Sequence, residues 1–399
     1  MAPAPRCPKY HANTLGNCGS REIPKYFTDS PAIASRTCIL LLHQSSRPPM
    51  PPTVLVTGAN GHLGQNTVRA LLEKGYQVRA FVRKTSHLGG LADLPVDFHY
   101  GDVRDHTSLL TAAGGCDAII HHAAVYKIWA KTVEEIMAPS IEGTKNVFRA
   151  AAESGVSRIV YTSSTYAIGT ATDPTKILDE NDWNQHEHLP YSAAKTRSER
   201  LAWELSDQYN IPMISLCPGA VYGRYDYRVT PSNRMILDMM KGLGLTVKGL
   251  LSLVDARDAG KVHALAVENG VVGNRYVLTG PTVKMKTIGE EVNRVTGKRV
   301  LHLPFGRSVS ILTGQLMEVA AKFTGWDPAH TSGEAREFSH RYARYDNSRT
   351  VEDFSYTFRS LEDTIRDTVR WLAFARGVKL NKKVRSGLEP EAEWVRPPA

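Results

Sequence analysis

Residues 53–64 read Thr-Val-Leu-Val-Thr-Gly-Ala-Asn-Gly-His-Leu-Gly: an apolar, β-branched run stops at Gly58, and glycine recurs at 61 and 64. A strand that runs straight into such a turn and then into a helix begins a layered α/β fold. The pattern predicts a strand over Thr53–Thr57, a helix over Asn66–Lys74 closed by Gly75, and a second strand over Gln77–Val82. Further apolar strands follow at Asp97–Tyr100, Ala118–His121, Arg158–Thr162 and Pro212–Cys217, separated by helices such as Ser140–Ser154 and Ser192–Tyr209. Strands alternating with helices give a doubly wound parallel sheet. Beyond Tyr222 the alternation breaks down and helices dominate. Thr287 and Glu290 suggest a capping box, and Ser308–Thr324 an amphipathic to apolar helix, so a smaller mixed lobe is expected there.

The chain has 399 residues, 42% of them apolar, ample for a buried core. Its formal charge of +9 lies at the ends: residues 1–49 contribute +4 and the tail from Arg376 onward +3, leaving the middle nearly neutral. With no basic face on the folded part, nucleic-acid binding is not expected. Cys7, Cys18, Cys38, Cys116 and Cys217 are odd in number and scattered, which suits reduced thiols in a cytoplasmic setting. The apolar run Cys38–Leu42 is too short to span a membrane. Residues 1–49 suit a disordered extension, an upstream start before Met50, or an organellar transit peptide, the last weakened by Glu22, Asp29 and several prolines. The expected organisation is therefore an extension over 1–49, a cofactor domain over 50–222 with a returning segment at 251–280, a substrate lobe over 223–375, and a basic tail over 376–399.

Glycines at 58, 61 and 64 let backbone N–H groups and a helix N-terminus approach a dinucleotide pyrophosphate. The candidate cradle is Gly58, Asn60, Gly61, His62, Leu63 and Gly64. An acid at the end of the second strand would select NAD, but Arg83 and Lys84 stand there. Two cations suit a 2′-phosphate, so NADP(H) is favoured over NAD; a solvated basic strand end is the plain alternative. Asp102 and Val103 end the third strand, where a carboxylate can accept from the adenine amine.

Tyr191 and Lys195 lie one turn apart on one predicted helix face, downstream of Thr162, Ser163 and Ser164. A tyrosine ordinarily keeps its proton up to a pH of about 10, while a neighbouring ammonium and a nicotinamide cation both favour the phenolate. Tyr191 can then serve as general acid or base, with Lys195 also donating to the nicotinamide ribose and Ser164 orienting the substrate oxygen. Ser163 competes for that last role. His121 and His122 are adjacent, so their side chains leave a strand on opposite faces and no metal site is expected.

At these residues the chain resembles the extended short-chain dehydrogenase/reductases, more narrowly their dihydroflavonol-reductase-like branch. The matching segments are VLVTGANGHLG, VRAFVR, GDVRD, CDAIIHHAA, EGTKNVFRAA, YTSSTYAIG, YSAAK, CPGAVYG, LVDARDAGKVHALA and, near the end, YDNSRTVEDFSYTFRSLEDTIRDTVRWL. It is also similar to the hopanoid-associated sugar epimerases. The resemblance spans about Pro52 to Val378 and implies a Rossmann lobe, a small C-terminal substrate lobe and often a homodimer through two helices. It adds Ala123, Ala124, Pro218 and Val221 to the cofactor contacts. Where the family usually has Asn ahead of E-G-T, this chain has Ser140 after Pro139, so the proton relay through that position needs a serine and a water instead.

The first functional expectation is NADP(H)-dependent reduction of a ketone or aldehyde on a bulky, partly apolar small molecule. Tyr126, Trp129, Tyr166, Tyr222 and Tyr225 follow strand ends and could wall such a site or simply pack the core. Alternatives are a nucleotide-sugar epimerase or dehydratase, with Arg224, Arg228 and Arg234 on a diphosphate, a hydroxysteroid-type dehydrogenase, and a non-catalytic cofactor sensor.

Overall fold

The structure, a computed structural model, describes residues 51–122, 133–186, 189–324, 328, 331–378, 380 and 394. Six strands alternate with helices: β1 (Thr53–Thr57), α1 (His62–Glu73), β2 (Gln77–Val82), β3 (Asp97–Tyr100), α2 (His106–Ala113), β4 (Ala118–His121), α3 (Glu134–Ser154), β5 (Arg158–Thr162), α4 (Thr165–Ile168), α5 (Pro190–Tyr209) and β6 (Met213–Pro218). With a seventh strand, Arg275–Leu278, they form one wholly parallel sheet in the spatial order seventh, β6, β5, β4, β1, β2, β3. Winding reverses between β1 and β4, and ligands of such sheets bind at the carboxyl ends beside that reversal.

Both faces of the sheet are covered, which is why its strands read as continuous apolar runs. Leu55, Ile119, Ile159 and Met213 pack with Phe148 and Leu205 on the α3–α5 face. Their immediate neighbours Val56, Ile120, Val160 and Ile214 pack with Val68 and Leu71 on the opposite face. The side-chain period of two therefore sends neighbouring residues of these four strands to opposite cores.

After β6 the chain builds the second lobe: β7 (Ala220–Tyr222), α6 (Pro231–Met240), β8 (Leu243–Val247), β9 (Gly249–Asp255), α7 (Ala256–Leu265), β10 (Arg275–Leu278), β11 (Thr282–Val283), α8 (Met285–Thr296), β12 (Leu301–Phe305), α9 (Arg307–Thr324), α10 (Ser332–Phe338), β13 (Arg341–Tyr342), α11 (Ser348–Phe354) and α12 (Leu361–Arg376). Strand β9 is the centre of a small sheet with β7, β11 and β13. Helix α7 packs on α1, β10 joins the main sheet beside β6, and α11 packs on β10 through Phe354 on Tyr276. The core of this lobe surrounds the fully buried Trp371, with Tyr225, Ile236, Ile288 and Val369.

Several local expectations are corrected. Helix α8 begins at Met285 with no side-chain cap, so Thr287 falls inside its first turn and makes no capping box; that motif forms at Thr331 and Glu334 instead. Helix α9 turns the small residues Ser310, Gly314 and Ala321 inward, leaving Leu312, Leu316 and Phe323 exposed. A Cβ on Gly314 would lie 2.5 Å from the Thr331 carbonyl carbon, so only a small residue admits this approach of α10. Trp394, from the segment expected to be a tail, is buried edge-on against Trp371 at 5.3 Å. Residues 1–49, and with them Cys7, Cys18 and Cys38, lie outside the described residues. Cys116 and Cys217 are buried free thiols. No helix among the described residues is long and apolar enough to cross a membrane.

Candidate functional site

The cradle begins where β1 stops. Gly58 takes φ +68°, a left-handed conformation open to glycine. Its carbonyl accepts from Gly61 N at 2.9 Å, closing the turn. A Cβ on Gly64 would run into the Gly58 carbonyl oxygen and lie 2.7 Å from that of Ala59, so the helix can seat against the strand only with glycine there. Gly61 is the N-cap of α1 and brings no capping side chain, and the first turn holds no acid. The amide end of the helix is thus open toward the cleft, as an anionic pyrophosphate needs. Asn60 fixes the turn to the loop after β2 by donating to the His87 carbonyl at 3.1 Å.

One large open cleft runs along the carboxyl ends of the strands. Its lining includes Gly58, Asn60, Gly61, His62, Leu63, Gly64, Arg83, Asp102, Val103, Ser164, Tyr191, Lys195, Pro218 and Val221. Lys84 is exposed and lies outside that lining. Ala123, Ala124, Tyr126 and Trp129 lie outside the described residues. Asp102 is already engaged: Arg104 forks onto both carboxylate oxygens at 2.9 Å and holds this acid down to about 2. An adenine amine would have to share it.

The second half of the cleft gathers Ser164, Tyr191 and Lys195. Pro190, at the first helical position of α5, sets the backbone for a helix start. Tyr191 and Lys195 therefore sit one turn apart, both buried. The Tyr191 ring meets Tyr166 edge-on at 5.2 Å. Lys195 donates to the Thr162 carbonyl at 2.9 Å, and burial pulls its ammonium down to about 8 against the opposing pull of Glu199. Ser164 caps α4, its Oγ accepting from Tyr166 N at 3.2 Å. Ser163 points the other way and donates to Glu199 at 2.5 Å. Of the two serines competing for the substrate oxygen, Ser163 is thus committed to an internal carboxylate.

Behind the lysine lies a network that the sequence reading missed. Glu199 is fully buried and accepts from Ser163, from Ser215 at 2.6 Å, and from Arg275 Nε and Nη2 at 2.8 and 3.0 Å. Arg275 gives its remaining donors to the carbonyls of Glu180 and Asp182 and lies 3.9 Å over the Trp183 ring. The signal was available: Tyr191, Lys195 and Glu199 recur every four residues on one helix.

The adjacent histidines diverge. His121 meets Thr57 at 2.7 Å and the Tyr161 ring at 5.7 Å, whereas His122 lies between Thr67 and Thr162. His263 Nδ1 can only donate to the Ala259 carbonyl, at 2.7 Å, so its Nε2 accepts from Thr162. Thr162 in turn accepts from His122 Nδ1, and His122 Nε2 accepts from Thr67. Burial keeps these rings neutral, drawing His121 down to about 3 and His263 to about 4. His122 and His263 thereby hold Thr162, whose carbonyl accepts from Lys195. Among the described residues no three His, Cys, Asp or Glu side chains converge as metal ligands.

Other expected residues divide. Tyr166 lines the cleft; Tyr222 borders it but is 1% exposed and packs in the second-lobe core, as does Tyr225, between Trp371 and the guanidinium of Arg69. Arg228 and Arg234 line the cleft; Arg224 pairs with buried Asp367 at 3.4 Å. Ser140 is buried in α3 and donates to its own Ile136 carbonyl, so the position expected to relay protons turns its hydroxyl into the helix and does not line the cleft.

Comparison with known proteins agrees with this layout. Residues 54–279 match the model of the NAD dependent epimerase/dehydratase family. A putative dihydroflavonol 4-reductase of Synechocystis sp. is 30% identical, over 79% of this chain and 93% of that one. Sterol demethylase protein B of Methylococcus capsulatus is 35% identical, over 61% of this chain and 75% of its own length. The crystal structure of gox2253 is 28% identical with a TM-score of 0.70, and the match covers 80% of this chain and 97% of that one. With the glycine turn, the sheet order and these relatives in agreement, the chain belongs to the NAD dependent epimerase/dehydratase family, the extended short-chain dehydrogenase/reductases that work with a nicotinamide cofactor.

Proposed function

We propose that this protein is an NADP(H)-dependent reductase of a ketone or aldehyde on a bulky, partly apolar small molecule. The observation that carries the proposal is the pairing of Tyr191 with Lys195 on one turn of α5, facing the same cleft as the open glycine turn and Arg83. The residues present fit a dinucleotide: an uncapped helix end for the pyrophosphate, and a guanidinium with no acid at the end of β2 for a 2′-phosphate. When bound, the nicotinamide supplies hydride.

The chain's own residues supply the rest. Ser164 Oγ and Tyr191 Oη hold the carbonyl oxygen, and Tyr191 delivers a proton as that oxygen becomes an alkoxide. The buried Lys195 ammonium stabilises the phenolate left behind. Its own position is fixed by the Thr162 carbonyl, and Glu199 opposes the loss of its proton. Tyr166, partly exposed at the cleft, provides an aromatic face for a ring-bearing substrate. The relatives named for a dihydroflavonol and for a sterol fit such a face. Epimerisation of a nucleotide sugar is less well served, because Arg224, one of three arginines considered for a diphosphate, is spent on Asp367.

The test is NADPH and NADH oxidation by the purified full chain over panels of cyclic ketones, aldehydes and sugar nucleotides. The proposal requires turnover with a carbonyl compound and preference for NADPH. Turnover confined to sugar nucleotides, without net cofactor oxidation, would establish the epimerase reading.

A further inference from the structure

The loop between β7 and α6, within the second lobe, is firmly built. Tyr225 and Val229 both take positive φ, +64° and +57°, conformations that bulky side chains occupy only where surrounding contacts impose them. Those contacts centre on Asp226, which is almost fully buried. Its carboxylate accepts from Thr230 N at 2.6 Å and Thr230 Oγ1 at 2.7 Å, and lies 3.9 Å from His62 on the first turn of α1. Arg376 donates to the Tyr227 carbonyl at 2.8 Å. The Tyr227 ring, in turn, packs on the segment that follows β2, 6.1 Å from His87 and against Gly89, where a Cβ would lie 2.6 Å from the ring. A loop of the second lobe is thereby pinned at one side to the glycine-turn helix and at the other to the chain just beyond Arg83.

Arg228 is the next residue of that loop. Its guanidinium lines the same cleft as Arg83. Among the described residues neither arginine has a hydrogen-bonded carboxylate, whereas Arg104, which lines the same cleft, is forked onto Asp102. Crowding by protein and the nearby positive charge of Arg83 both push the Arg228 guanidinium below its ordinary range, with Asp226 opposing. Two guanidiniums that line one cleft, on segments tied together through Tyr227, His87 and Gly89 and with no carboxylate bonded to either, suit an anion that both can reach.

We infer that Arg228, carried in from the second lobe, is the second arm of a two-arginine clamp on the cofactor's 2′-phosphate, with Arg83 as the first arm. The inference rests on the NADP(H) reading above and extends it. Cofactor choice would then be set by both lobes, and a bound 2′-phosphate would tie the substrate lobe to the sheet.

The test is calorimetric binding of NADPH, NADH, adenosine 2′,5′-bisphosphate and 5′-AMP to the full chain and to Arg83→Gln, Arg228→Gln and Arg228→Lys. Arg228→Gln should weaken NADPH and the bisphosphate about tenfold or more, the loss of one charge-assisted contact, and leave NADH and 5′-AMP within about twofold. Arg228→Lys should recover part of the loss, since the charge remains and the fork does not. If NADH weakens as much as NADPH, Arg228 serves the shared pyrophosphate or the loop's shape, and the clamp is wrong. If Arg83→Gln alone weakens the bisphosphate, the clamp is overturned while the NADP(H) reading stands. A parent protein that binds 5′-AMP as tightly as the bisphosphate overturns both.

Discussion

Replacing Glu199 by Gln tests the link between the buried network and Lys195. The carboxylate is the only acid bonded to Arg275 among the described residues, and both groups are nearly inaccessible, Glu199 at 0% and Arg275 at 7% exposure. Gln is isosteric and can still accept from Ser163 or Ser215, so the change removes charge with little change of volume. Breaking a buried pair while leaving one partner charged costs about 3–5 kcal/mol, at least about a fifth of the roughly 5–15 kcal/mol stability of an ordinary domain. Arg275→Met in the same chain should remove the uncompensated cation, so the double variant should be less destabilised than the two single losses added together. A second consequence concerns Lys195. Its ammonium, at about 8, is supported against burial by Glu199, so the Gln variant should lose it at lower pH. If activity requires the ammonium, it falls as pH rises through that value, and the alkaline limb of kcat/KM should move to lower pH in Glu199→Gln. Urea melts of the three variants and a pH–rate profile measure both effects. A stability loss under about 1 kcal/mol, with an unmoved alkaline limb, would show that the network neither holds the fold nor tunes the lysine.

Arg83→Asp should raise the KM for NADPH by about tenfold or more while changing that for NADH far less, read from initial rates with each cofactor. Gly64→Ala places a methyl against the carbonyls of Gly58 and Ala59, backbone that has no rotamer escape, and should cost about 1–3 kcal/mol with a matching loss of cofactor affinity, seen by thermal melting with and without NADPH. Acid should destabilise the fold through the buried histidines. His121 and His263 titrate near 6.5 when unfolded but near 3 and 4 when folded, so between those values unfolding takes up protons and each ring lowers stability by about 1.4 kcal/mol per pH unit as pH falls. Stability independent of pH between 6.5 and 4 would contradict that account.

The parallel sheet was legible because its strands are local: an apolar run ended by glycine or a polar residue needs no partner to be recognised, and β1 to β5 begin and end where their sequences predict. Helix starts were less legible. Helix α1 begins at His62, four residues before the expected Asn66, because its N-cap is Gly61, which offers no side-chain signal. The site was legible where one helix or one turn carries it, as with Gly58 to Gly64 and Tyr191 with Lys195. It was not where distant segments meet. Nothing local announces that Arg275, from the last strand of the main sheet, closes on Glu199, or that Thr162 is held by His122 and His263 from two other elements. Tyr225 stayed open between wall and core for the same reason: an aromatic residue after a strand end lines the cleft or fills the core according to a partner, here Trp371, that lies 146 residues further on.

The central claim is that Tyr191 delivers the proton that accompanies hydride transfer, and single-turnover reduction by Tyr191→Phe tests it most directly. The phenylalanine keeps the ring against Tyr166 and removes only the hydroxyl. NADPH affinity and melting temperature should be unchanged, while the rate of reduction falls by about 10² or more on a substrate that the parent protein turns over. A variant that binds NADPH normally and reduces that substrate at the parent rate would contradict the account.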